Sequence, residues 1–450
     1  MSQVDLIREA FHYQSRFEGS TMVFKVDFPV TEGPGFPYLM KDLALLAQTG
    51  FKVVIVPGAK EFIDSILGVQ EIQTKWQGGG ESMARITDSE AIPFVEQAAF
   101  HVATRFMTFL SGNRVDALVG NFVRARGLGV VDGVDMGHTG TVDKIYASSI
   151  SRVLNLGMVP ILPCIGWSPS GKPYNVSSDE IALAAATALG AVKLFIVSAQ
   201  GGVKTNALNI PANFEARPDG SLVRLSPQEA EAILSANAEN DADNDDKKDA
   251  LRKLRLALRA CRAGVDRVHI IDGREEGSVL TELFSNLGTG TMLYTDEYES
   301  IRPFHSRDLP DLLRLMEPLM QRGILLRRQP EQILEKKADY AVFEIDGSVH
   351  ACGALHDWGE GQGEIAAIAT NPMYAELGLG RRMIGYFTEK ARKAGMSRVF
   401  VLTTHTQDWF EMLGFKEVPV ESLPQQKRAL YDQQRKSRVF ALDLSQRRNV

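Results

Sequence analysis

Apolar and polar positions alternate in blocks along the first two thirds of the chain. Nearly continuous apolar runs such as Thr21–Val26, Lys52–Pro57 and Lys193–Ser198 predict strands. Longer amphipathic segments such as Ala91–Leu110 and Asp179–Leu189 lie between them and predict helices. This alternation is typical of a parallel sheet covered by helices on both faces, and so of a large α/β domain. Three further strands and one helix are predicted at Val115–Gly120, Met158–Pro163, Val268–Ile271 and Tyr38–Thr49.

The segment Ala236–Asp249 interrupts the alternation because it is rich in Asn, Asp and Lys. Its alternating aspartates resemble a calcium-binding loop. Asp246 and Arg252, however, stand where such a loop has its glycine and its last glutamate. We therefore predict a solvated loop that binds no metal.

The hydrophobic pattern restarts after the polar stretch Tyr294–Ser300, which predicts two domains, 1–295 and 296–450. In the second domain two adjacent hairpin strands precede a third strand, a loop and a helix. This order predicts a small mixed α/β sheet. The predicted elements are a helix at Leu309–Met320 and strands at Ile301–Phe304, Ala341–Ile345, Val349–Leu355, Glu364–Thr370 and Arg398–Thr404.

A glycine turn in the second domain is the most informative motif. An apolar strand ends in Asn371-Pro372 and is followed by Gly378-x-Gly380 and a predicted helix over Gly380–Lys393. Glycines at such a junction let backbone N–H groups converge on an anion, and the helix N-terminus adds the positive end of its dipole. The alternative is an ordinary turn between a strand and a helix.

This motif resembles the acetyl-CoA loop of GNAT-type N-acetyltransferases, although Ala375 stands where that family has Arg or Gln. The preceding strand, through Ile368 and Thr370, could pair with an extended pantetheine arm as an added strand. The residues that we expect to bind acetyl-CoA are Ile368, Ala369, Thr370, Ala375, Gly378, Leu379, Gly380 and Arg381.

Acetyl transfer to an amine also needs a proton acceptor, because an amine is mostly protonated near pH 7. Glu364 begins the strand before the glycine turn and could accept the proton directly or through water. A solvent-exposed hairpin charge is the alternative for this residue. Thr403 and Thr404 end the next strand, beside the expected reaction centre, where packing alone would also explain them.

Two arginine clusters stand out in an otherwise acidic protein. Arg327 and Arg328 form one cluster, and Arg435 and Arg438 belong to the other. Guanidinium groups bind carboxylates through paired hydrogen bonds, so two clusters suit a substrate with two carboxylates. A solvated basic edge is the alternative.

Composition narrows the class of protein. The chain has 450 residues and a net charge of −6, which argues against nucleic acid as its main partner. It has no uninterrupted apolar stretch of ~18 residues that would cross a membrane, and its first residues lack the apolar run of a signal peptide. The three cysteines, Cys164, Cys261 and Cys352, have no metal-ligand spacing and indicate free thiols in a reducing cytoplasm.

Stretches along the whole chain resemble the N-acetylglutamate synthases of the long bacterial type. In these proteins an amino-acid-kinase-like domain is fused to a GNAT domain. The matching stretches are Ser111–Asn113, Gly120–Asp135, Asn175–Ala182, Ala260–Val265, Leu280–Ser285, Gly288–Thr291, Gln321–Arg328, Phe400–Thr404 and Gln434–Ser437. The resemblance implies an α/β fold with an N-terminal amino-acid-kinase-like parallel-sheet sandwich and a C-terminal GNAT mixed α/β domain.

The same resemblance implies a reaction and assigns roles to residues. Acetyl-CoA and L-glutamate would give N-acetyl-L-glutamate and CoA, the first step toward arginine. Glu364 would accept the proton, Thr403 would lie near the leaving group, and Tyr431 is a further candidate acid. The residues expected to bind glutamate are Leu326, Arg328, Arg435 and Ser437.

The N-terminal domain is similar to acetylglutamate kinase but lacks the glycine turn that holds phosphate in a working kinase. Asp27 and Phe28 replace the glycines, and a carboxylate and a bulky ring would oppose a phosphate. Lys25, Asp179 and Lys253 nevertheless fall where kinase catalytic residues are expected. We predict no phosphoryl transfer, with residual acetylglutamate kinase activity as the alternative.

What this domain keeps resembles a feedback site for L-arginine. The resemblance assigns Tyr13, His269, Glu282 and Gly288 to it, with Glu282 facing the guanidinium and loop N–H groups facing the carboxylate of the effector. From the sequence alone His269 could equally be a satisfied histidine at a strand end. An N-terminal helix of this kind joins dimers into rings, so we expect a homo-oligomer and consider a hexamer. A third possibility is an arginine sensor that binds CoA without turnover.

Overall fold

The computed structural model describes residues 11–444 apart from residues 12, 16, 79–82, 207, 212, 213, 215, 218, 238–244, 285–287, 296–298, 346, 347 and 373–377. The chain divides into two compact units, Met1–Asp296 and Glu297–Val450. Strands β1–β23 and helices α1–α14 are numbered in chain order.

The first unit is built on an eight-stranded sheet in which neighbouring strands are parallel except β15 and β16. In spatial order its strands are β14 (Arg224–Leu225), β16 (Thr291–Tyr294), β15 (Arg267–Asp272), β13 (Lys193–Ser198), β1 (Thr21–Val26), β2 (Lys52–Pro57), β10 (Val159–Ile161) and β5 (Ala117–Val119). The predicted apolar strands are confirmed, because β1, β2 and β13 lie at the centre of the sheet and are almost completely buried.

Helices cover both faces of this sheet, as the sequence predicts. Phe24 of β1 packs into one core and Val23 into the other, because successive side chains of a strand point to opposite faces. The helices of the first unit are α1 (Phe28–Glu32), α2 (Phe36–Gln48), α3 (Lys60–Val69), α4 (Ile92–Gly112), α5 (Ala147–Asn155), α6 (Ser178–Ala188), α7 (Pro227–Ala236), α8 (Asp245–Arg262) and α9 (Ser278–Phe284).

Two features of the first unit differ from the predictions. The loop predicted at Ala236–Asp249 is wrong at its end, because α8 begins at Asp245. Asp245 and Asp246 lie in the first turn of α8, where negative side chains interact favourably with the positive end of the helix dipole. The sequence also did not reveal several short strands, including a small barrel of β6 (Val123–Gly127), β9 (Thr139–Ile145), β11 (Ile165–Trp167) and β12 (Pro173–Val176), and the pairs β3 (Lys75–Gln77) with β4 (Ala84–Ile86) and β7 (Val130–Val131) with β8 (Val134–Asp135).

The second unit contains the predicted mixed sheet, which has seven strands. In spatial order they are β17 (Glu299–Pro303), β18 (Tyr340–Ile345), β19 (Ser348–Asp357), β20 (Gln362–Thr370), β21 (Arg398–Thr403), β23 (Arg438–Asp443) and β22 (Lys416–Val418). Neighbours are antiparallel except β20 and β21, which are parallel. The helices are α10 (Leu309–Gln321), α11 (Pro330–Glu335), α12 (Leu379–Lys393), α13 (Gln407–Met412) and α14 (Gln425–Ala429).

Candidate active and regulatory sites

The parallel strands β20 and β21 stay paired for only three residues. Their register runs from Gln362 opposite Arg398 to Glu364 opposite Phe400, and among the described residues no later position of the two strands is paired. Beyond Glu364, β20 remains bonded to β19 alone. Backbone N–H and C=O groups that face such a gap need another partner, which an extended ligand can supply.

A bulge lies in β20 just past this point. Ala367 and Ile368 together lie opposite Gly353 of β19, and Ala367 has a φ of 55°, in the left-handed region. A Cβ atom on Gly353 would lie 2.5 Å from Cδ1 of Ile368 and 2.6 Å from a ring carbon of Phe387, so a larger residue there would displace these side chains. The bulge re-aims the backbone from Ile368 to Thr370, where the sequence predicts contact with pantetheine.

The glycine turn forms the N-terminus of α12. Gly378 is the N-cap residue with a φ of 59°, and no side chain caps the helix. Leu379 is buried and anchors the first turn, while Arg381 is exposed and adds positive charge there. The first backbone N–H groups of α12 therefore suit an anionic ligand such as a diphosphate.

Gly380 lies close beneath an aromatic ring. A Cβ atom at this position would lie 3.1 Å from a ring carbon of Trp409 and 3.9 Å from Cγ2 of Thr370. The glycine thus lets α12 approach β20 and α13 closely. Ala375 lies outside the described residues.

Glu364 is buried, so it is not the solvent-exposed hairpin charge that the sequence left as an alternative. Nζ of Lys427 lies 2.8 and 2.7 Å from the two carboxylate oxygens, and Nε1 of Trp358 donates to Oε2 at 2.8 Å. Lys427 also lies over the Trp358 ring, 4.9 Å from its centroid. These contacts hold Glu364 at the point where β20 and β21 part.

Thr403, Tyr431 and Ser437 gather at the start of β23. Thr403 ends β21 opposite Arg438, and its hydroxyl lies 2.8 Å from that of Thr406. The Tyr431 hydroxyl donates to the carbonyl of Ser437 at 2.6 Å. Thr404 is turned differently, because its hydroxyl lies 2.6 Å from Nδ1 of His405.

The two arginine clusters meet through Arg435. Its guanidinium group donates to the carbonyl oxygens of Gly323 and Ile324 at 3.2 and 2.6 Å, while Arg328 donates to the carbonyl of Leu326 at 3.2 Å. Burial and the neighbouring cation of Arg328 lower the pKa of Arg435. An anion bound beside these two cations would offset their mutual repulsion.

The other members of these clusters point elsewhere. Arg438 pairs with Glu417 and Gln407, and Arg327 is exposed. Leu326 is 48% exposed, so its side chain is open to a ligand. Arg328 and Arg435 are therefore the members of the two clusters that both donate to carbonyl oxygens of the segment 323–326.

Cysteine chemistry does not fit this site. Cys352 is completely buried on β19, its thiol donates to the carbonyl of Ala367 at 3.8 Å, and burial raises its pKa to about 12. Such a thiol is a poor nucleophile because the thiolate is the reactive form. Cys164 and Cys261 are also free and buried.

His269 and Glu282 of the first unit form a buried pair. Nδ1 of His269 lies 2.8 Å from Oε1 of Glu282, and the backbone N–H groups of Thr289 and Gly290 donate to Oε2 at 2.7 and 3.0 Å. Burial lowers the pKa of His269 to about 4. The hydrogen bond and the charge of His269 lower that of Glu282 to about 2, against the effect of burial. Nε2 of His269 is buried without a hydrogen-bond partner in the described part of the chain.

The other predicted effector residues lie around this pair. Gly288 has a φ of 46°, and a Cβ atom there would lie 2.9 Å from Oε2 of Glu282. Tyr13 is buried in the same core as Phe195, whose ring stacks on His269 at 4.8 Å. The resemblance implies that loop N–H groups face the carboxylate of the effector. In the structure, the N–H groups of Thr289 and Gly290 donate to Glu282.

Lys25, Asp179 and Lys253, which fall where kinase catalytic residues are expected, belong to one buried network of ion pairs. Nζ of Lys25 lies 2.8 Å from Oδ1 of Asp179 and also pairs with Asp27, and Arg252 contacts Asp27 at 3.3 Å and pairs with Asp179. Lys253 pairs with Asp249, Ser198 and Gln200. The carboxylates of Asp179 and Asp27 raise the pKa of Lys25 although burial alone would lower it. Asp27 thus places its own negative charge against the cations that a phosphate would need.

Sequence reasoning missed several residues of the active-site region. Trp358 and Lys427 bind Glu364, and His356 lies opposite Glu364 on β19 with Nδ1 2.6 Å from Oδ2 of Asp339. These residues come from separate elements and have no shared motif, so only the pairing of the strands could reveal them.

Among the described residues, no helix combines the length and the apolar composition that spanning a membrane requires. Within the same residues, no group of three or more His, Cys, Asp or Glu side chains could hold a metal ion.

Comparison with known proteins matches both units. The amino acid kinase family matches residues 29–272, and the acetyltransferase (GNAT) family matches residues 300–415. An amino-acid acetyltransferase of Vibrio cholerae serotype O1 is 33% identical over an alignment of 448 residues, and the match covers 97% of this chain and 97% of the relative.

Two solved structures of N-acetylglutamate synthase from Neisseria gonorrhoeae are also similar to this chain. One, complexed with coenzyme A and L-arginine, is 31% identical with a TM-score of 0.83. The other, complexed with coenzyme A and N-acetyl-glutamate, is 32% identical with a TM-score of 0.60. Each comparison covers 99% of this chain and 100% of the other.

Proposed function

The chain belongs to the amino-acid acetyltransferase family that includes the N-acetylglutamate synthases, and we propose that it transfers the acetyl group of acetyl-CoA to the α-amine of L-glutamate. The second unit would carry out this reaction. The first unit would bind L-arginine as a feedback effector.

The proposal that L-glutamate is the substrate rests on Arg328 and Arg435. Arg435 reaches across to the turn that leads to Arg328, and burial together with the Arg328 cation lowers the pKa of Arg435. A dicarboxylic amino acid supplies the negative charge that such a pair needs, and each guanidinium can bind a carboxylate through two hydrogen bonds. Leu326 and Ser437, beside the two arginines, would complete this site.

The opening between β20 and β21 supports the choice of donor. An extended pantetheine arm would pair with the edge of β20 at Ile368–Thr370, and its diphosphate would bind at Gly378, Gly380 and the N-terminus of α12. The thioester would then lie near Glu364, at the end of the paired segment.

Direct transfer follows from this arrangement. Glu364 would take a proton from the glutamate ammonium group, and the free amine would attack the thioester carbon. The C–S bond then breaks as the amide forms, and the thiolate of CoA leaves. Thr403 and Tyr431 lie at the strand end where a proton could be returned to the sulfur. The buried thiol of Cys352 offers no covalent alternative.

The first unit would sense L-arginine through Tyr13, His269, Glu282 and Gly288. The unpaired Nε2 of His269 can accept a hydrogen bond from a guanidinium N–H group, since Nδ1 already donates to Glu282. Because Asp27 neutralises Lys25 and Arg252, no phosphoryl transfer is expected here. We further propose a cytoplasmic homo-oligomer, with a hexamer as the specific expectation.

The test is release of free thiol from acetyl-CoA. We expect release that requires L-glutamate, with much less release for glutamine or aspartate, and a change in rate when L-arginine is added. Thiol release that ignores glutamate would contradict the proposed substrate. Consumption of ATP with N-acetylglutamate would support the kinase alternative instead, and arginine that binds without changing turnover would remove the regulatory role.

A further inference from the structure

Asp339 and His356 form a carboxylate–imidazole pair in the second unit. Nδ1 of His356 lies 2.6 Å from Oδ2 of Asp339, and the histidine side chain is only 11% exposed. A carboxylate that accepts from Nδ1 fixes the tautomer of a neutral histidine and leaves Nε2 as a proton acceptor.

This pair lies beside Glu364. His356 and Glu364 are direct partners in the antiparallel register of β19 and β20, so their side chains leave the sheet on the same face with Cβ atoms about 4.5–5.5 Å apart. Tyr340 belongs to the same group, because its ring meets the His356 ring edge-on at 6.0 Å. Asp339, Tyr340 and Glu364 are thus all neighbours of His356.

The surroundings of Glu364 explain why a second acceptor is useful. Both of its oxygens already receive hydrogen bonds from Lys427, and one also receives a bond from Trp358. A proton on either oxygen competes with these donors for the same lone pairs. In a buried site that proton needs a nearby base.

We propose that His356, held by Asp339, receives the proton that Glu364 takes from the amine of the acceptor. The proton leaves the ammonium nitrogen for Glu364 and then passes to Nε2 of His356, directly or through water, and Glu364 is ionised again for the next turnover. His356 gives up the proton to solvent when product leaves. This inference rests on the proposed acetyl transfer and makes His356 a positioning residue that acts through Glu364.

The charged and titratable groups around His356 come from several elements. Asp339 immediately precedes β18, Tyr340 is the first residue of that strand, and Glu364 is on β20. Lys427 and Lys336 both lie over the ring of Trp358, which binds Glu364. Any pH dependence must therefore be assigned by comparing variants, because these groups act on one another.

The test uses His356→Asn in the full chain. The asparagine side-chain N–H can replace Nδ1–H toward Asp339, but its amide cannot accept a proton near neutral pH. We expect kcat to fall about 100-fold, as for loss of a general base, while the KM values for both substrates change little. The acid limb of the kcat profile should disappear, and added imidazole should restore part of the rate.

His305→Asn is the matched control, because His305 also faces an aspartate, at 3.8 Å from Asp308, but is 57% exposed. It should keep the wild-type rate and pH profile. A His356→Asn protein with normal kcat, or with lower kcat but an unchanged pH profile and no response to imidazole, would overturn the relay. If the unmodified protein acetylates an amine other than glutamate, the proposed substrate is wrong, and the same comparison on that amine still decides the role of His356.

Discussion

Arg435 and Arg328 both bond to one short segment, because Arg435 donates to the carbonyl oxygens of Gly323 and Ile324 and Arg328 donates to that of Leu326. Residues more than a hundred positions apart thereby form one cationic site in the second unit. The residue between Arg435 and Ser437 is Lys436, whose φ of 50° lies in the left-handed region. A non-glycine residue in this region marks a backbone that its surroundings hold in place, here at the predicted substrate site.

Arg435→Ala should therefore weaken glutamate binding. We expect the KM for glutamate to rise about 10-fold to 150-fold, which corresponds to about 1.5–3 kcal/mol for a hydrogen bond to a charged group, while the KM for acetyl-CoA changes little. Steady-state kinetics with each substrate varied in turn would measure this. Arg438→Ala is the control, because Arg438 pairs with Glu417 and should leave both constants unchanged. Equal effects of the two substitutions would argue against the site.

Glu364→Gln should lower kcat by about 100-fold with small changes in both KM values, because the amide keeps the shape of the carboxylate but cannot accept the proton. Single-turnover thiol release would measure the chemical step directly. Glu389→Gln on the exposed face of α12 should behave as the unmodified protein. A normal single-turnover rate in Glu364→Gln would remove this residue as proton acceptor.

Gly378→Ala should weaken acetyl-CoA binding selectively. The left-handed φ of 59° costs a residue with a Cβ atom about 1–2 kcal/mol, so the turn at the start of α12 should shift. We expect the KM for acetyl-CoA to rise several-fold. Gly385→Ala lies within the same helix with open space around its Cβ position and should instead stabilise the protein slightly. Calorimetric titration with CoA would show whether the two alanines differ as expected.

Asp27→Ala should destabilise the first unit without creating a kinase. It leaves Lys25 and Arg252 to share Asp179, and we expect a loss of about 1–3 kcal/mol in the free energy of unfolding. The exposed pair Arg124–Asp143 provides a control, because Asp143→Ala should cost less than about 1 kcal/mol. Denaturant unfolding would compare the two. A variant that gains ATP turnover would mean that Asp27 alone blocks the kinase reaction.

The His269–Glu282 pair should make the protein less stable in acid. Folding lowers the pKa of His269 from 6.5 to about 4 and that of Glu282 from 4.5 to about 2, so the unfolded chain binds more protons across these ranges. This contribution is complete above pH 6.5 and is lost as the pH falls through the histidine window and then through that of the glutamate. His269→Asn should flatten the fall in unfolding free energy between pH 6.5 and 4. An unchanged slope would mean that other groups control it.

Much of the fold could be predicted because it depends on local periodicity. The strands Thr21–Val26, Lys52–Pro57 and Lys193–Ser198 were predicted with their observed bounds, since an apolar run flanked by turns has few other structures. Short strands such as Val130–Val131 and Ile165–Trp167 were not predicted, because two or three residues are too few to show a periodic pattern. The helix that starts at Asp245 escaped because its acidic first turn has the composition of a loop.

A site residue could be predicted from the sequence only where its type and its place in a local motif together indicate a role. Gly378 stands at a strand-to-helix junction, and Glu364 lies near the start of β20, so their predicted roles could be stated from the sequence. Lys427 and His356 could not be found in this way. They reach Glu364 through a distant helix and a neighbouring strand, and such contacts depend on strand order and register rather than on local pattern.

The carboxylate of Asp27 has a consequence for how the first unit can act as a sensor. Its buried cations are neutralised from within the chain, so the domain needs no nucleotide to complete its interior. Changes in the cellular ATP supply would leave such a domain untouched. A feedback signal that passes through it would then report the abundance of an amino acid independently of energy status.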